Sequence, residues 1–406
     1  MVRSKFIQLL MAAVAVIGLT GADWTQFRGT NANSVSTAKN VPTEWGPGKN
    51  LAWSSALPGR GLSCPIVVGD LVVVTASSGP RQDQLHVLAF DAGSGELRWE
   101  RTFWATGNTT CHEKMCVATP TPASDGQRIF ATYSSNDLVC LDLEGNLQWL
   151  RGLTYDFPNA SNSLGMSSSP IVIGDVVVVQ VESDAEAFTT GIDAATGIAR
   201  WKIDRPRAAN WTSPTILRQP NGESDLALLQ SSKGLSAVDP KSGTVIWSYD
   251  DGAATIPSST VADRTVYVPS NGIAAIRPRG SSDAPEVLWQ VGRLSPATAS
   301  PVADDGRLYV LNRAGVLNCA DASNGDVIWN LRLKGPFSST PVIADGTSYG
   351  FKEEGLGQVV QLGAKGELLS ENDLGETILC TPAVVDGALY VRSDQHLWKI
   401  ANDTKP

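Results

Sequence analysis

The chain has 406 residues, 42% hydrophobic and 18% charged, which provides apolar material for a sizeable core and too little charge for a disordered chain. Lys plus Arg number 32 against 41 Asp plus Glu, and the net charge of −9 argues against a nucleic-acid or anionic-membrane surface, which needs clustered basic residues. There are 12 Trp but only 3 His, so general-base and metal chemistry have little to work with.

In chain order, residues 1–22 predict a secretory signal: Arg3 and Lys5 form the positive end, Phe6 to Leu19 the apolar run, and Thr20-Gly21-Ala22 the small residues before a cut at Asp23. A retained membrane anchor is disfavoured because the run is shorter than the roughly 20 residues of a spanning helix. The first Cys is Cys64, so lipid attachment at the cleavage point is not expected. The expected location is secreted, in the periplasm or cell envelope, with no transmembrane segment in the mature chain. Residues 23–48 form an N-terminal extension, and residues 49–403 one repeat domain.

Two patterns recur through that domain. One joins a small residue, an Asp, a Gly turn and a Trp, which is the layout of two strands around a hairpin. It appears at Ala89-Phe90-Asp91 with Gly95 and Trp99, and at Cys140-Leu141-Asp142 with Gly145 and Trp149. Further copies are Gly191-Ile192-Asp193 to Trp201, Ala237-Val238-Asp239 to Trp247, and Cys319-Ala320-Asp321 to Trp329, with weaker copies ending at Trp289 and Ser370. The second pattern, Ser/Thr/Cys-Pro followed by apolar residues and an Asp/Gly turn, begins at Pro65, Pro122, Pro170, Pro214, Pro301, Pro341 and Pro382, with Ser259 in the same place in a degenerate copy. Together they predict eight units of four strands, at the spacing of propeller blades. The last unit lacks its fourth strand, while Lys49 to Trp53 reads as an orphan fourth strand. Pairing the two closes the ring and removes the sheet edges. The expected fold is therefore all-β, an eight-bladed β-propeller closed by its N-terminal strand; a seven-bladed ring follows if the Ser259 copy is not a blade.

These repeats resemble those of pyrroloquinoline-quinone-type (PQQ-like) β-propellers over nearly the whole mature chain. Asp23-Trp24-Thr25-Gln26-Phe27-Arg28-Gly29 is similar to the opening of secreted bacterial members, planctomycete ones among them. The family mixes quinoprotein dehydrogenases with cofactor-free scaffolds, including the propeller of the outer-membrane assembly machinery. The enzymes use a disulfide between adjacent Cys, a calcium site and a base Asp. No two Cys are adjacent here, and C-x-x-C-H, G-x-S-x-G, H-E-x-x-H and the phosphate-binding G-x-x-x-x-G-K are all missing. No cofactor is therefore expected, and PQQ or calcium has no support beyond the resemblance.

Cys140 and Cys319 occupy a small-residue strand position and read as buried thiols. Cys111 and Cys116 share a short loop, and in an oxidising compartment a local disulfide is the favoured reading, with a metal site including His112 as the alternative. Cys64 and Cys380 fall in units that become neighbours on closure, where a seam disulfide is conceivable. The connections from Trp99 to Pro122 and from Trp149 to Pro170 are about twice as long as the others, and long loops on a rigid scaffold are where binding residues concentrate. Arg60, Tyr155, Asn159, Asn162, Asn210 and Trp211 are the candidate binding residues, at the channel mouth of blades 2–4, suited to a peptide or carbohydrate; the alternative is that these loops plug the channel. The expected function is a monomeric, non-enzymatic binding or scaffold propeller for an envelope protein or such a ligand. The competing class is a quinone- or metal-dependent oxidoreductase.

Overall fold

A computed structural model describes residues 23–161, 164–220, 222–280 and 283–403. The segment expected to be a signal peptide, residues 1–22, lies outside the described residues. Eight antiparallel sheets follow one another along the chain. In blade 3 the order is Ile171–Ile173, Val176–Val181, Phe188–Asp193 and Ala199–Asp204, each paired to the next. Its second strand, Val-Val-Val-Val-Gln-Val, is buried throughout, whereas the fourth alternates half-buried and exposed residues. Inner strands packed on both faces need continuous apolar runs, and an outer strand needs only one apolar face. The blade around Thr260–Ala262, Thr265–Ser270, Gly272–Arg277 and Glu286–Val291 is complete, so the Ser259 copy is a blade and the count is eight.

Each repeat residue has a mechanical task. Asp305-Gly306, Asp345-Gly346 and Asp386-Gly387 have φ of 46 and 69, 48 and 70, and 49 and 76°, the pair of positive values that a tight two-residue hairpin requires. The repeat Asp holds the second hairpin: Asp193 Oδ1 accepts hydrogen bonds from Ala195 N at 3.1 Å and Thr196 N at 2.8 Å. The repeat Trp then joins one blade to the next. Trp149 Nε1 donates to Ala194 O at 3.1 Å, and a Cβ placed on Gly197 would lie 2.7 Å from the Trp149 ring. The same contact recurs for Trp53 with Gly95, Trp99 with Gly145, Trp201 with Gly243, Trp289 with Gly325 and Trp329 with Gly366.

The ring closes as expected: Leu51–Ala56 pairs antiparallel with His396–Ala401, Ser54 opposite Trp398. A further strand, Val35–Ser36, adds parallel to Val342–Ala344 in blade 7. The extension that carries it does more than precede the ring. Trp24 bridges to Val67 in blade 1, Thr25 O accepts from Ser124 N in blade 2, and Gln26 Oε1 from Val172 N in blade 3. Thr30 O accepts from Arg218 in blade 4, Arg28 reaches blades 5 and 6, and Ser36 Oγ donates to Val384 O in blade 8. One segment thus touches all eight blades and crosses the end of the channel.

Candidate functional site

The channel is lined where each blade begins. The side chain before each first strand accepts a hydrogen bond from the backbone N–H of the matching residue in the preceding blade. Cys64 N donates to Thr121 Oγ1 at 2.9 Å, Thr121 N to Ser169 Oγ at 3.0 Å, and Ser169 N to Ser213 Oγ at 2.9 Å. Ser213 N, Ser258 N, Ser300 N and Thr340 N continue the series to Ser258, Ser300, Thr340 and Thr381, each at 3.0 Å. Thr381 N completes it on Cys64 Sγ at 3.2 Å. This is the physical content of the Ser/Thr/Cys-Pro signature: the hydroxyl satisfies a buried backbone donor that no ladder reaches, and the Pro that usually follows has no N–H to lose.

These eight side chains wall a cavity of about 480 Å³ with Phe27 at its floor. Beneath it, Arg28 is fully buried, its Nη1 donating to Ser259 O at 2.8 Å and its Nη2 to Pro301 O at 3.0 Å. With no carboxylate partner, burial pulls its pKa down to about 9. The opening motif of the chain is therefore a plug. Sequence reasoning recognised that motif but gave it no role.

At the other end the long connection between blades 1 and 2 arches over the mouth. Arg60 Nη1 donates to Glu113 O and Met115 O, both at 2.9 Å. His112 N donates to Leu164 O, and Lys114 Nζ lies 3.1 Å from Glu353 Oε2 on blade 7, across the opening. Glu353 Oε1 also accepts from Ser338 Oγ at 2.8 Å. Trp211 completes the rim, its Nε1 donating to Gly165 O at 2.9 Å.

The candidate residues are not brought together. Trp211 lines the cavity, whereas Arg60 anchors the arch. Asn210 is buried behind the wall, donating to Glu182 Oε2 at 2.7 Å and Gln230 O at 2.8 Å. Glu182 itself is pushed up by burial against the opposing pull of Arg205, 2.7 Å away. Tyr155, 79% exposed in the short helix Leu153–Asp156, and Asn159, beside Glu186, Lys202 and Arg205, lie outside the mouth. Asn162 lies outside the described residues.

The expected Cys111–Cys116 disulfide is not formed. All six Cys are free thiols. The loop turns the two apart: Cys111 Sγ faces Ser134 Oγ at 3.8 Å, and Cys116 Sγ is buried against Thr119 Oγ1 at 3.6 Å. Cys64 and Cys380 meet at the seam, also as free thiols, while Cys140 and Cys319 are buried.

Floor, hydroxyl wall and arched mouth define the molecule as an eight-bladed propeller of PQQ-like repeats with a blind central cavity. The family model described as outer membrane protein assembly factor BamB matches residues 34–179, 86–277 and 280–355, and the chain belongs to that family. No functionally curated protein matches the sequence. Among solved structures, BamB from Moraxella catarrhalis is 16% identical with a TM-score of 0.62, covering 88% of this chain and 98% of that one. A europium-containing methanol dehydrogenase (15% identity, TM-score 0.67, 92% and 90% covered) is similar in fold. So is the quinohemoprotein alcohol dehydrogenase from Comamonas testosteroni (13%, 0.69, 95% and 81%). The fold is common to scaffold and enzyme, so the cavity itself must discriminate between them. Among the described residues its lining holds one carboxylate, Glu353, already engaged by Lys114 and Ser338, and no Asp. Calcium takes six to eight oxygens, carboxylates among them. The donor set does not fit a calcium-bound quinone.

Proposed function

We propose that the protein is a non-enzymatic binding or scaffold propeller of the bacterial cell envelope, which holds a protein partner or a peptide or carbohydrate ligand at the channel mouth. The observation that carries this reading is the blind cavity: one end is sealed by Phe27 and Arg28, and the other is roofed by a single elaborated sector that leaves Trp211 on the rim. A wall of seven hydroxyls and one thiol, with its one carboxylate engaged by Lys114 and Ser338, offers hydrogen-bonding groups suited to recognition. Among the described residues no helix is long and apolar enough to cross a membrane. The assembly-factor family favours a protein partner, and the expected locations are the periplasm and the envelope.

The test is capture from an envelope extract by wild type and by Trp211→Ala, with folding checked by circular dichroism. Retention of every partner by the folded variant counts against this mouth. For the oxidoreductase alternative, adding pyrroloquinoline quinone and Ca²⁺ is expected to produce no bound-cofactor absorbance and no dye reduction.

A further inference from the structure

Seven of the eight ring positions carry a hydroxyl, and the eighth, Cys64, carries a thiol. It accepts the Thr381 N–H at 3.2 Å, at the seam between the first blade and the last. The residue before Thr381 is Cys380, whose Sγ–H donates to Arg392 O at 3.1 Å. Both thiols line the cavity, 3% and 5% exposed, within reach of a small molecule and out of reach of a folded protein. The pair is asymmetric: one sulfur accepts a hydrogen bond and the other donates one.

Behind them lies a second anomaly. Arg392 is fully buried, and its Nη1 donates to Ser63 Oγ at 2.7 Å and to Thr75 O. Its Nε and Nη2 have no hydrogen-bond partner. Burial pulls the guanidinium down, opposed by Cys380, Cys116, Asp394 and Cys64 in falling order. A buried guanidinium with unpaired N–H groups is costly, and the thiol it acts on most is Cys380, whose Sγ–H donates to the Arg392 carbonyl and which it pulls down. Burial pushes Cys64 up, but hydrogen bonds involving Cys380, Thr121 and Thr381 outweigh it and hold the thiol below its ordinary value. The hydrogen bond with Cys64, together with burial, holds Cys380 well above it.

We propose that Cys64 and Cys380 form a dithiol site on the channel wall that exchanges with low-molecular-weight disulfides entering the cavity. Cys64 thiolate attacks one sulfur of R–S–S–R, forming a mixed disulfide and expelling RS⁻, which takes up a proton. Cys380 then gives up its proton and attacks Cys64 Sγ, and a second RSH leaves. The protein is oxidised by two electrons and the small disulfide is reduced to two thiols. Cys64, whose sulfur accepts the Thr381 N–H, attacks, and Cys380, whose proton is held on Arg392 O, resolves. The proposal goes beyond the binding reading, since thiol chemistry and partner capture are measured separately.

The test exposes the full native chain to oxidised glutathione and to cystamine, followed by intact mass and peptide mapping. Wild type is expected to lose two free thiols and yield a Cys64–Cys380 cross-link. Cys380→Ser is expected to stop at a mixed disulfide on Cys64. Arg392→Met, folded by circular dichroism, is expected to keep the mixed disulfide on Cys64 about threefold longer before the cross-link forms, because the guanidinium pulls the resolving thiol Cys380 down. The proposal is overturned if native wild type stays reduced under both disulfides, or if the label maps to Cys111 in preference to Cys64. Because the mixed disulfide trapped on Cys380→Ser identifies the nucleophile, no outcome depends on a substitution at Cys64 itself.

Discussion

Arg28 has three oxygens for its guanidinium, Ser34 Oγ at 3.2 Å and the carbonyls of Ser259 and Pro301, and water reaches none of them. Arg28→Met fills part of the volume but strands both carbonyls, so a loss of about 2–4 kcal/mol is expected from urea unfolding. Arg28→Lys is expected to recover little, because one ammonium cannot span what a planar fork spans. Nothing in the neighbourhood of residue 28 announces these partners. They are backbone carbonyls 231 and 273 positions further along the chain, and a carbonyl carries no side-chain signature. The same blindness hides the internal partners of Arg60 and Asn210. Both have the chemistry of ligand-binding groups, but both spend it on internal acceptors, Glu113 O and Met115 O for one and Glu182 and Gln230 O for the other.

The blade, by contrast, was legible because its rules are local and repeat. The Asp, Gly and Trp of each copy act within one hairpin or on its immediate neighbour, so periodicity alone reveals them. Gly145 shows the constraint: φ is 81°, and a Cβ there would lie 2.7 Å from the Trp99 ring. Gly145→Ala therefore combines left-handed strain, roughly 1–2 kcal/mol, with overpacking of roughly 1–3 kcal/mol. Thermal unfolding is expected to show at least the smaller sum. The turn carboxylates also predict acid sensitivity. Asp193 is held at about 2, chiefly by its hydrogen bond to Arg200 and then by Thr196. Asp91 lies lower still, through Arg98 first, and Asp321 is lowered by Ser323. A carboxylate whose folded pKa is depressed adds stability above its unfolded value, near 4, and that stability is lost as pH falls through the folded value. Urea midpoints are thus expected to decline between about pH 4 and 2, and Asp193→Asn to decline less steeply over that window.

At the scale of the whole molecule, the two ends of the channel are secured differently. The floor is buried and hydrogen-bonded, whereas the roof, anchored at blade 1 by Arg60, reaches blade 7 through Lys114–Glu353, whose lysine is largely exposed. Exposed pairs of this kind contribute about 0–1 kcal/mol. Lys114→Ala is expected to leave the unfolding midpoint nearly unchanged while raising hydrogen exchange across residues 111–116. Wild type in about 1 M salt should resemble the variant, since charges are then screened within about 3 Å.

Closure by the strand Leu51–Ala56 also sets an order of events. Asn50 N meets Asp403 Oδ1 across 353 positions, and Arg28, with only Ser34 near it in sequence, needs blades 5 and 6 for both of its carbonyl acceptors. Translation makes these segments early and must leave them waiting. Each blade can pair internally as it emerges, but the ring cannot shut until His396–Ala401 is made, so a nascent chain carries an open edge at both ends. The plug can seat only once there is a channel to plug. Its docking marks the completed ring, and a chain cut short before His396 would leave the strand Leu51–Ala56 without a partner.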